Sequence, residues 1–84
     1  MVEKVTVFSK PDNQCRPCWA TKLRLKTNGT PFEAFDVTID KEAEAKAKTY
    51  GFLQTPVVVV DFADGSQETW SGFDPDRIDA LKAA

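Results

Sequence analysis

At 84 residues the chain reads as one small domain, 1–84, and a domain of that size needs a compact core because it buries only a modest share of its surface. Hydrophobic residues at 42% and charged residues at 29% exclude the disordered and membrane-embedded compositions. A net charge of -2 and a pI near 5.0 supply no positive field for a phosphate backbone, so nucleic acid is not an expected partner.

Met1 to Phe8 intersperses Glu3 and Lys4 with valines. That mixture is neither a signal-peptide core nor a membrane span, and a cytoplasmic location is expected; separately, the protein is expected to be a monomer. Within it, Lys4 to Ser9 alternates as a strand does, with Val5 and Val7 on one face and Thr6 and Phe8 on the other. Pro11, Asp12, Asn13 and Gln14 form a turn-rich loop that leads to Cys15. Arg16 to Lys26 reads as a helix, its apolar side assigned to Trp19, Leu23 and Ala20, and closed by Asn28 and Gly29.

Phe32 to Thr38 carries the aromatic and β-branched residues of a second strand. Asp40 is a suitable N-cap for a helix over Lys41 to Tyr50, in which Glu42 with Lys46 and Glu44 with Lys48 are oriented i,i+4 pairs on a solvated face and Gly51 supplies the stop. Val57 to Val60 is an unbroken apolar run that suits a central strand buried on both faces. Asp64 and Gly65 turn the chain back, making Gln67 to Trp70 an antiparallel neighbour. Asp74 and Pro75 then read as N-cap and first residue of a closing helix packed through Ile78 and Leu81. The order βαβαββα predicts an α/β fold with a four-stranded mixed sheet flanked by three helices.

Chemistry concentrates at Cys15 and Cys18, the only two cysteines of a chain that has no histidine. A cysteine pair spaced by two residues closes a disulfide only where the backbone turns tightly, as it does in a first helical turn. Here the pair falls between a predicted strand and a predicted helix, which puts Cys15 where free backbone N–H groups and the helix dipole favour a thiolate. A free thiol has a pKa of about 8.5, and such sites lower it to roughly 3.5–7.5. Pro17, preset to helical φ and lacking an N–H, marks the same helix start. The pair therefore reads as a redox centre with Cys15 as nucleophile and Cys18 as resolving thiol. Two other readings remain: a passive bridge, or half of a zinc site, which would need two further ligands from a second chain. No metal is expected within one chain.

Thr55-Pro56 stands directly before the valine run. Proline is excluded from a central strand interior, so Pro56 serves the turn, with a cis peptide as one form of it.

Over its whole length the sequence resembles the glutaredoxin and thioredoxin superfamily, and most closely the NrdH-type redoxins. Phe8-Ser9-Lys10-Pro11 leading to Cys15-Arg16-Pro17-Cys18, Thr55-Pro56 before a valine strand, and Trp70-Ser71-Gly72-Phe73-Asp74-Pro75-Asp76 carry the resemblance. It implies the thioredoxin fold and an active-site role for Pro17, Thr55 and Pro56. Arg16, Trp70, Ser71, Gly72 and Phe73 become candidate partner contacts, although Trp19 and Trp70 by their positions alone read as packing residues. It further implies reduction of class Ib ribonucleotide reductase, with electrons drawn from NADPH through thioredoxin reductase and no tightly bound cofactor. Three departures stand out: Arg16-Pro17 between the cysteines, a loop from Lys10 to Cys15 longer than is usual in the family, and Asp74 in place of the family's arginine. The competing readings are a glutathione-dependent glutaredoxin and a non-catalytic or metal-sharing binding module on the same fold.

Overall fold

The computed structural model describes residues 1–83. Strand β1 (Val2–Ser9) is followed by helix α1 (Arg16–Thr27), β2 (Glu33–Asp36), α2 (Lys41–Lys48), β3 (Val57–Phe62), β4 (Gln67–Ser71) and α3 (Pro75–Ala80), with a closing 3-10 turn at Leu81–Ala83. This is the predicted order. The four strands form one mixed sheet in the order β2-β1-β3-β4, with β2 parallel to β1 and both the β1–β3 and β3–β4 pairs antiparallel.

The alternation in β1 divides the interior in two. Val5 pairs with Val60 and Val7 with Val58, whereas Thr6 pairs with Val59 and Phe8 with Val57. On the first face Val5, Val7, Val58 and Val60 meet Leu25 of α1, Trp70 of β4, Ile78 of α3 and Leu81. On the second, Phe8, Val57 and Val59 meet Ala43 and Ala47 of α2, with Phe35 and Tyr50 packed against them. The valine run thus feeds both cores, as expected, and each fully buried valine stabilises the fold by about 1.5–3 kcal/mol.

The caps form where the sequence places them. Asp40 accepts the Ala43 N–H at 3.0 Å and Asp74 accepts the Arg77 N–H at 3.1 Å. At the end of α1, Gly29 (φ 71°) donates to the Lys26 carbonyl and Thr30 to the Leu25 carbonyl, the 5→2 and 6→1 bonds of a Schellman closure.

Three expectations need correction. The inner face of α1 is not Trp19, Leu23 and Ala20; it is Cys18, Thr21 and Leu25, while Trp19 is 44% and Leu23 47% exposed. Packing accounts for this phase: Leu25 joins the valines of the sheet and Ile78 in the core, and Cys18 and Thr21 lie on the same face of the helix. Successive residues rotate by about 100°, which carries Trp19 outward. Helix α2 ends at Lys48, before Tyr50, because Thr49 and Tyr50 donate to carbonyls three residues back in a tightened final turn. Of the two charge pairs, Glu44 and Lys48 lie 4.0 Å apart, and among the described residues Glu42 and Lys46 form no ion pair.

Candidate redox site

Cys15 is the N-cap of α1, and its backbone is extended (φ -144°, ψ 95°). Its sulfur accepts the Cys18 N–H at 3.1 Å. A cysteine sulfur has replaced the usual hydroxyl or carboxylate of an N-cap, so an orphan donor of the first turn is aimed at sulfur. Cys15 and Cys18 are joined as a disulfide with their Cα atoms 5.2 Å apart. Cys15 is 7% exposed and Cys18 is fully buried. An attacking partner therefore meets Cys15 first. No acidic residue occupies the first turn of α1 to oppose a thiolate there.

The Thr55-Pro56 peptide bond is cis. Thr55 presents its hydroxyl 3.6 Å and its carbonyl oxygen 3.7 Å from the Cys15 sulfur. In the disulfide neither sulfur carries a proton, so the Thr55 hydroxyl is the group able to donate in that contact. Pro56 is buried, and its carbonyl accepts the Gly72 N–H at 2.9 Å. Gly72 has φ 80°, a backbone state that only glycine adopts without strain. The three sequence segments, distant along the chain, are thereby joined: Cys15 touches Thr55, and Pro56 holds Gly72.

The candidate contacts divide by exposure. Arg16 and Pro17 are exposed, and the Arg16 guanidinium lies 6.0 Å from the Trp19 ring centre, in cation–π range. Phe73 is 42% exposed and Ser71 and Gly72 are half-buried. Trp70 is elsewhere: it lies opposite Val58 in β4 and is 5% exposed, its ring packed in the core with the Arg77 guanidinium 5.6 Å from the ring centre. The reading of Trp70 from its position in the strand describes it better than a surface contact does.

Some features of the site carried no sequence signal. The Lys10 backbone N–H donates to the Cys18 sulfur at 3.5 Å. The loop that follows is tied to α1 by an ion pair of 2.5 Å between Asp12 and Lys22. A groove of about 310 Å³ runs beside Thr55, lined by Val37, Ala47, Phe52, Leu53 and Gln54 among others. Backbone donors and grooves are created by chain crossing, so no residue type announces them. Among the described residues, no group of three or more Cys, Asp or Glu side chains is placed to hold a metal ion, and no helix is long and apolar enough to cross a membrane.

The glutaredoxin family model matches residues 5–62. The glutaredoxin-like protein NrdH of Escherichia coli (strain K12) is 35% identical over 81 residues, covering 96% of this chain and 91% of the relative. The chain belongs to the glutaredoxin family, among the NrdH-type redoxins. The solved structure of the Escherichia coli NrdH-redoxin matches this redoxin with a TM-score of 0.78, covering 94% of this chain and 95% of the other. A relative of 36% identity, the gene 56 protein of Mycobacterium phage L5, aligns with 92% of this chain and 70% of its own length. With its cysteine pair at bonding distance in this fold, the redoxin is a thiol-disulfide oxidoreductase.

Proposed function

We propose that the redoxin carries electrons from thioredoxin reductase, and hence from NADPH, to a disulfide in a protein target, with class Ib ribonucleotide reductase as that target. Residues 1–84 act as a single cytoplasmic, monomeric domain. Cys15 attacks the target disulfide and displaces one target sulfur as a thiolate; Cys18 then attacks Cys15, closes the disulfide seen here and releases the second target sulfur. The target gains two electrons. The reductase restores the dithiol. In this reading Thr55 and Pro56 shape the face beside Cys15, while Arg16, Ser71, Gly72 and Phe73 meet the partner.

The observation that carries the choice of reductase lies at the start of α3. Glutathione is a small peptide with two carboxylates, and a helix N-terminus with free N–H groups is a natural place to hold one of them. Here Pro75 has no N–H, and the Asp74 carboxylate already accepts the Arg77 N–H at 3.1 Å. A second carboxylate would meet a negative charge. Phe73, 42% exposed, adds bulk at the same turn. The Escherichia coli NrdH-redoxin, described as having a thioredoxin-like activity profile, supports the same assignment.

A coupled assay tests it. With a protein-disulfide acceptor, NADPH consumption is expected with thioredoxin reductase and absent with glutathione plus glutathione reductase; the reverse pattern overturns the proposal. Cys18→Ser is expected to trap a mixed disulfide between Cys15 and the target.

A further inference from the structure

The inner face of α1 carries Cys18, Thr21 and Leu25, and all three are 0% exposed. Thr21 is the anomaly among them. Its hydroxyl is buried and has no hydrogen-bond partner. A threonine inside a helix ordinarily returns its hydroxyl to the carbonyl three or four residues back. Thr21 does not, although Pro17 and Cys18 supply those carbonyls.

Helical side chains lean toward the N-terminus and neighbour those three residues away, so Thr21 packs toward the turn that holds Cys18. In the disulfide the Cys18 sulfur is bonded to Cys15 and receives the Lys10 N–H at 3.5 Å. Once that bond opens, the two sulfurs separate, and Cys18 has to become a thiolate inside an apolar core to attack again. A buried anion is strongly disfavoured unless donors face it. The chain has no histidine, and no acidic residue stands in the first turn of α1.

We propose that Thr21 is a positioning residue for the resolving step, its hydroxyl donating to the Cys18 sulfur when the disulfide is open. The inference rests on the order of attack given above. In that step the Cys18 thiolate bonds to the Cys15 sulfur, the bond from Cys15 to the target sulfur breaks, and the departing thiolate takes up the proton that Cys18 released. Thr21 keeps its own proton throughout. It stabilises charge and takes no part in the electron transfer.

The test mixes the reduced full chain with excess dithiobis(nitrobenzoate) in stopped flow, so that attack by Cys15 releases one coloured thionitrobenzoate and attack by Cys18 on the resulting mixed disulfide releases a second. The rate of this second release is read. Thr21→Val removes the hydroxyl at constant shape and is expected to slow release roughly tenfold, the effect of losing one hydrogen bond to a charged group. Thr21→Ser should restore the rate, and alkylation of Cys15 in the reduced protein should be unchanged in both variants. Release from Thr21→Val at the wild-type rate overturns the proposal. So does Thr21→Ser being as slow as Thr21→Val, because the effect would then lie in packing. Cys18→Ser separates the two levels: release from it at the wild-type rate refutes the order of attack, whereas an inert Cys18→Ser beside an unaffected Thr21→Val refutes only the role of Thr21. Far-ultraviolet circular dichroism confirms that each variant folds, and Thr21→Ala replaces any that does not.

Discussion

Cys15 differs from an ordinary exposed cysteine through two neighbours, the Cys18 N–H at 3.1 Å and the Thr55 hydroxyl at 3.6 Å. Both are better donors to a thiolate than to a thiol, so both favour ionisation. In the reduced protein, the pH profile of alkylation at Cys15 should show a midpoint below the value of about 8.5 for free cysteine. Thr55→Val should move that midpoint upward, since it removes the hydroxyl and keeps the shape. A midpoint equal to that of free cysteine would refute the account of Cys15 as a capping thiolate. The residue pair and its place at a helix start were legible in the sequence. The Thr55 contact was legible only by resemblance, because the two residues lie 40 positions apart.

At the scale of elements, the start of α3 explains why an aspartate stands where the resembling family has an arginine. Asp74 accepts the Arg77 N–H through one oxygen, and its other oxygen lies 3.3 Å from the Arg77 guanidinium, which also donates to Glu68 at 2.8 Å. Asp74→Ala should cost about 1 kcal/mol in urea unfolding, the usual consequence of losing such a cap. Asp74→Arg, which also loses the cap, should be destabilised to a similar or greater degree. If either variant instead keeps full stability and loses turnover with thioredoxin reductase, the aspartate is a partner contact and not a cap. Helix α1 teaches the opposite lesson. Trp19 and Leu23 form an apolar stripe, yet the face of Cys18, Thr21 and Leu25 is the one turned inward, because Leu25 packs among the valines of the sheet while Trp19 and Leu23 stay 44% and 47% exposed.

Across the whole molecule, α1 is tied to α3 by Asp79, which accepts from the Arg24 guanidinium at 2.9 and 2.5 Å and from the Asn28 amide at 2.9 Å. Those bonds, Arg24 first, hold the Asp79 carboxyl well below the usual carboxylate range. Asp36 and Asp64 are also lowered, by the hydroxyl and then the backbone N–H of Thr38 and of Ser66 respectively. A carboxyl depressed in the folded state binds its proton more readily when unfolded, so its stabilising effect is present above the unfolded pKa of about 4 and is lost as pH falls from there toward the folded value. Stability against thermal unfolding should therefore fall as the pH is lowered from roughly 5 to 2. Asp79→Asn should flatten that decline, and added salt should reduce the difference because the pair is partly exposed. An acid profile identical in wild type and Asp79→Asn would refute the assignment.

The sequence by itself determined the element order, the two-sided burial of the valine strand, the helix caps and the cysteine pair at a helix start. Each of these is written in local periodicity or in a capping residue type, whose physics acts over a few neighbouring positions. Only the tertiary structure decided which face of α1 turns inward, that Thr55 and Lys10 surround the two sulfurs, and that the Thr21 hydroxyl is buried without a partner. Those outcomes depend on how strands and helices cross, and distances between residues far apart in the chain have no local trace in the order of amino acids.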